Sequence, residues 1–195
     1  MTQIIKNNLY DLDFPITEQL PKVFEISFSE ENKNDGSARV TWKSKKQLGD
    51  VIDDNSYESD HYRFHDIFHY TFATLLGWSP CARAMMKRKR KSNPLIDRVE
   101  DGARAIIIEE AISMVIFREA KKNNFFRKSK RVSKNTLNII KDMASGLEVK
   151  TKTFAEWNYA ILKAYEIFRL LVENSGGSVR FNSWERSVTF QKHIV

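Results

Sequence analysis

One cysteine, Cys81, stands in the whole 195-residue chain. It excludes an intramolecular disulfide and fits a reducing, cytoplasmic setting. Following Trp78-Ser79-Pro80, it reads as a small buried residue rather than a nucleophile. No apolar run approaches the roughly 18 residues needed to span a bilayer, so no membrane segment is expected. The start, MTQIIKNNLYDLDFP, lacks a basic stretch followed by an apolar one, and no signal peptide is expected. Internal repeats and low-complexity linkers are also missing. The length suits one domain, taken as residues 1–195.

What is present supports a folded core: 42% of residues are hydrophobic and 12% aromatic. The net charge of +7 is concentrated in two segments. Residues 83–91 carry six Lys/Arg and no acid, and residues 118–134 carry eight against one Glu. Such clusters attract phosphate, on nucleotides or on nucleic acid.

Two alternating runs, KVFEISF (22–28) and ARVTW (38–42), surround an Asp35-Gly36 turn signal and predict a β-hairpin over 22–43. SVRF (178–181) and SVTF (187–190), entered through Gly176-Gly177, predict a second hairpin ending near residue 190, pairing with the first into one antiparallel sheet. Between them, over 58–174, the periodicity is helical. A histidine-bearing helix is expected over 58–76 and a helix over 80–91 with Ser79 and Pro80 at its start. Helices are further expected over 95–122, over 133–145 with Ser133 as cap, and over 153–174. Thr153 and Glu156 there match the capping box. The fold class is α+β, mostly helical.

Two stretches carry polar residues that an apolar helix would not be expected to bury. HYRFHDIFHY (61–70) holds three of the four histidines, at 61, 65 and 69, with Asp66 between them. Residues four apart share one helix face. AIIIEEAISMVIF (105–117) has two charges, the adjacent Glu109 and Glu110. A buried carboxylate costs several kcal/mol unless it is paired, hydrogen-bonded or on a metal. The two helices are therefore expected to satisfy each other. Two readings stay open: a buried His–Glu network near Arg104 that fixes helix register, and a divalent-metal or acid–base site at the helix interface. His65-Asp66-x-x-His69 also invites comparison with the H-E-x-x-H of zinc hydrolases, with Glu109 or Glu110 as third ligand.

FPITEQLPKVFEISF (14–28), LGDVIDDNSYESDHYRFHDIFHYTFATLLGWSP (48–80), KRKRKSNPLIDRVEDGARAIIIEEAIS (87–113) and the late GGSVRF resemble one family. It is the C-terminal domain that follows the catalytic domain of some bacterial MazG-like nucleotide pyrophosphohydrolases. Catalytic MazG domains are all-α and bind Mg2+ through E-E-x-x-E and E-x-x-D helices. This chain has no E-E-x-x-E, so none of those catalytic residues carries over; it resembles the companion domain standing alone. His61 departs from the family pattern and ranks below His65 and His69.

The resemblance and the residues together lead to one expected site. His65, His69 and Glu109 are the expected ligands of a divalent metal (Mg2+, Mn2+ or Zn2+), and Asp66 and Glu110 the catalytic carboxylates. Lys87, Arg88, Lys89, Arg90, Lys91 and Arg104 are expected to hold phosphate. The activity implied is metal-dependent hydrolysis of a nucleotide phosphoanhydride. Alternatives are a non-catalytic nucleotide- or nucleic-acid-binding regulator in stress response or phage defence, and a zinc hydrolase. Expected partners are a phosphate-bearing ligand, nucleic acid, a second copy of the chain, or a separate MazG-type or defence-system protein, and no membrane.

Overall fold

Alternation in the first strands sets the face on which everything else is built. A computed structural model describes residues 9–32, 37–42 and 46–193. In β1 (Val23–Asn32), Phe24, Ile26 and Phe28 are buried while Val23 and Glu25 face solvent. In β2 (Ser37–Trp42), Ala38, Val40 and Trp42 bury the matching side. The pair is antiparallel, with Phe28 opposite Val40. The Asp35-Gly36 turn lies outside the described residues. A short β3 (Lys46–Gln47), which the sequence pattern did not indicate, pairs with β2.

β4 (Gly176–Asn182) and β5 (Ser187–Gln191) form the C-terminal hairpin, and β4 lies antiparallel on β1. One five-stranded sheet results, in the order β3-β2-β1-β4-β5. The glycine pair is explained at this junction. A Cβ on Gly176 would lie 2.4 Å from the Phe28 carbonyl oxygen, and one on Gly177 would lie 2.3 Å from the Phe190 ring. Their φ values, +120° and +149°, also disfavour any side chain.

The helices are α1 (Asp66–Leu75), α2 (Pro80–Met85), α3 (Pro94–Val99), α4 (Ala103–Lys122), α5 (Lys134–Met143) and α6 (Phe154–Glu173). α1 and α6 pack on each other and both meet β4 and β5. Phe68 meets Tyr165 and Phe168 at ring distances of 4.7 and 5.7 Å, and Phe72 meets Trp157 at 5.5 Å. Below them Phe24 stacks on Phe181 at 4.7 Å, tying the sheet to the same core. No helix among the described residues is long and apolar enough to cross a membrane. The expected caps form: Ser79 on α2, Ser133 on α5, and the Thr153–Glu156 capping box on α6.

Three helix boundaries differ from the periodicity. The histidine helix begins at Asp66, after a 3-10 turn over Tyr62–Phe64, and His61 sits in the left-handed region at φ 65°. The cause is Asp54. Its carboxylate accepts from the Ser59 hydroxyl and from the backbone N–H of Asp60, His61 and Arg63, so those donors are satisfied outside a helix. His61 therefore does not join a stripe with His65 and His69. α2 stops at Met85, with Lys87 left-handed beyond its cap. The long helix is broken over 100–102, where Asp101 turns inward to Arg90 and Glu100 accepts from the Glu148 N–H.

Candidate metal centre

α1 and the middle of α4 face each other across α2, and the unexplained polar residues of the sequence meet there. Glu109 is fully buried. One of its oxygens accepts from His69 Nδ1 (2.8 Å) and the Ser79 hydroxyl (2.7 Å), and the other accepts from the Cys81 N–H (2.8 Å). Both oxygens are thus committed. Glu109 had been expected as a ligand; its place in the structure is behind His69, fixing the tilt of the ring.

Glu110, about 100° further round the helix, points the other way. Its Oε1 lies 3.4 Å from His69 Nε2, and the side chain is partly exposed. His65 Nδ1 donates to the Tyr62 carbonyl at 3.0 Å, which leaves its Nε2 lone pair free. One donor atom each from His65, His69 and Glu110 lies within 4.8 Å of the others. A second group, His69, Cys81 and Glu109, meets the same distance but is buried throughout and closed by the hydrogen bonds just described.

The open group sits at the edge of a cleft of about 470 Å³ lined by His65, Glu110, Tyr62, Asp66, Asp50 and Asp53 among others. Among the described residues no Lys or Arg is in that lining. Asp66 is buried, and its Oδ2 has no hydrogen-bond partner. His69 Nε2 is likewise buried without a hydrogen-bond partner. The Tyr62 ring stacks on His65 at 4.2 Å, nearly parallel. Left-handed Gly49 brings the loop over Asp66; a Cβ there would meet Met85 Sδ at 3.3 Å.

The electrostatics suit cation binding. Burial pushes the His65 imidazole down, so at neutral pH it is an uncharged donor. For His69 burial acts the same way, but the Glu109 carboxylate at 2.8 Å opposes it and holds the ring above its ordinary value. Glu109 is the negative partner of this pair, because burial pushes the Cys81 thiol up and keeps it protonated. Burial would raise Glu110, yet the His69 ring, its Nε2 3.4 Å from Oε1, brings it to about 2. A cation held here by His65, His69 and Glu110 would meet an ionised carboxylate, and its binding would require loss of the His69 proton.

The basic residues expected to serve this site lie elsewhere. Arg90 is buried, bonded to Asp101 (Nη2–Oδ1 2.7 Å) and Glu148 (Nη2–Oε1 2.8 Å), and so cannot reach a ligand in solvent. Arg88 donates to the Ile16 and Thr17 carbonyls. Lys87, Lys89 and Lys91 line a different cleft, and Arg104, on the exposed first turn of α4, lines neither. Tyr62, Asp50 and Asp53 were not foreseen as part of a site. The acid-rich GDVIDD run was the available signal.

An α+β domain with two histidines and a carboxylate converging at an acidic cleft is, by its fold and site, a candidate metal-binding domain. The family model of the MazG C-terminal domain matches residues 5–194, and the chain belongs to that family. No curated protein and no solved structure matches it.

Proposed function

We propose that this protein is a divalent-metal-dependent, nucleotide-processing hydrolase, with His65, His69 and Glu110 as ligands and Asp66 as general base. The observation that carries the reading is the convergence of three donor atoms within 4.8 Å at the rim of a cleft. The donors fit a metal. The 3.4 Å between His69 Nε2 and Glu110 Oε1 matches the separation of about 3.4 Å for tetrahedral ligands at about 2.1 Å. Two imidazoles and one carboxylate favour Zn2+ or Mn2+ over Mg2+, which prefers oxygen donors.

A bound cation would lower the pKa of a coordinated water and offset phosphate charge. The chain's own residues do the rest. Glu109 fixes His69, and the Tyr62 carbonyl and ring fix His65. Asp66, which lines the cleft, takes the water proton as the oxygen bonds to phosphorus; the phosphorus–oxygen bridge breaks, and the electron pair leaves on the bridging oxygen. The nucleotide as substrate rests on the family's association with nucleotide pyrophosphohydrolases. The lining supports a cation-borne phosphate, because Asp50, Asp53, Asp66 and Glu110 repel a bare one.

The test is calorimetric titration of metal-stripped protein with Zn2+ and Mn2+, followed by a nucleoside triphosphate panel. Wild type should bind one metal and release product, and His65→Ala with His69→Ala should lose both. Absence of metal binding by wild type sinks the reading. Metal binding with no turnover, unchanged in Asp66→Asn, turns it into the regulator.

A further inference from the structure

The run Lys87-Arg88-Lys89-Arg90-Lys91 looks uniform in sequence but is two-faced in the structure. Arg90 is buried and Arg88 lies half-buried along the chain, while Lys87 and Lys91 are exposed and Lys89 is half-buried. Arg90 is spent on Asp101 and Glu148, and Arg88 on the Ile16 and Thr17 carbonyls. Arg83 underpins the segment, donating to the Arg88 carbonyl at 3.2 Å and the Glu18 carbonyl at 3.0 Å. The segment is therefore clamped, and Lys87, Lys89 and Lys91 are presented together into one cleft of about 380 Å³ with Thr17, Glu18 and Ala84.

Among the described residues none of the three lysines has an ion-pair partner. The one acid in the lining, Glu18, is occupied: its carboxylate accepts from the Ser92 N–H at 3.0 Å and the Ser92 hydroxyl at 2.6 Å. Lys87 adds a second kind of observation. It holds φ 58° just past the end of α2, where the backbone favours glycine. A long cationic side chain there carries a conformational cost that a role for the side chain would offset.

From this geometry we propose that the lysine cleft is a binding site for a linear oligophosphate, such as the phosphate chain of a nucleoside triphosphate. It is separate from the metal centre; the two linings share no residue. The held backbone presents three ammonium-bearing side chains to one cleft, enough to neutralise three successive phosphates, and less of the segment is left to order on binding. Among the described residues no aromatic side chain lines the cleft, so the ligand is read through its phosphates and not its base. This inference does not depend on the proposed hydrolysis, since lysine ammonium groups bind phosphate without a metal.

The experiment is calorimetric titration of the full chain with inorganic tripolyphosphate, ATP, adenosine and a 20-mer single-stranded DNA, all in chelator to silence the metal centre. Tripolyphosphate and ATP should bind alike and adenosine not at all. The Lys89→Gln/Lys91→Gln protein should lose about tenfold or more in affinity for each oligophosphate, from lost charge-assisted bonds, with metal binding unchanged. Lys87→Gly should weaken oligophosphate binding while raising the melting temperature, which a purely structural lysine would not do. Three results overturn the proposal: no tripolyphosphate binding by wild type, unchanged affinity in the lysine variants, or DNA bound tenfold more tightly than tripolyphosphate through the same lysines.

Discussion

Glu109 and Glu110 are neighbours with opposite duties, and substitution separates them. Glu109 accepts three hydrogen bonds inside the protein. In Glu109→Gln the amide must offer N–H groups where an acceptor is needed, and the His69 charge loses its partner. The expected cost is about 3 kcal/mol, in the range for bonds to a buried charged group, read by urea denaturation. Glu110→Gln should be nearly neutral in the same measurement, because its side chain is 41% exposed. The order reverses for metal: Glu110→Gln should lose most zinc affinity, while loss of a partner behind a histidine costs about 10–100-fold. Equal stability losses in the two variants would mean the buried and open roles are wrongly divided. The sequence marked both carboxylates as misplaced but could not divide them. Their 100° separation says only that one faces in; the Ser79 hydroxyl and Cys81 N–H of α2, distant in sequence, decide which.

At the scale of elements, the C-terminal strand entry makes the sharpest claim. Gly176→Ala would press a methyl onto the Phe28 carbonyl, a backbone atom of β1 that cannot rotate away. A strained positive-φ site costs on the order of 1–3 kcal/mol, so the melting temperature should fall by about 5 °C. Gly146→Ala, with nothing within 4 Å of the added carbon, is the matched control and should not fall with it. Calorimetry that moves both variants equally would reject the close-approach explanation. The sheet and its two hairpins were legible because alternation and turn residues are local signals, as were the caps at Ser79, Ser133 and Thr153. The breaks were not. Periodicity runs straight through Asp101 and Gly102, and only the Arg90–Asp101 pairing shows why the helix stops there. His61 was drawn into the helix for the same reason: the Asp54 carboxylate that competes for its N–H lies seven residues back. The acidic loop over 49–55 carries no periodicity at all, so its place beside His65, Asp66 and Glu110 could come only from tertiary structure.

For the whole molecule, the charge of +7 conceals a division into an acidic cleft and a basic one. A buried ionic seam ties the segment before β1 to the helices. Asp11 is its hub, accepting from the Leu20 N–H at 2.7 Å, from Arg83 Nη2 at 3.0 Å and from Lys22. Burial opposes ionisation of Asp11, but Arg83 and Lys22 overcome it and hold the carboxyl below its ordinary 3.8. A folded-state value below the unfolded one gives stability that is fully present above about pH 4 and lost as pH falls through the lower value. Asp11→Asn leaves Arg83 buried with one carboxylate fewer. It should cost about 3–5 kcal/mol at pH 7, the range for breaking a buried pair from one side. Because wild type loses its Asp11 charge in acid and the variant has none to lose, the gap between them must shrink below about pH 4. Urea midpoints for both proteins at pH 7, 5 and 3 measure this directly. A gap that stays constant down to pH 3 would show that Asp11 acts by shape and hydrogen bonding alone. A gap that closes would identify the seam as the electrostatic tie holding the lysine segment, through Arg83, against the start of the chain.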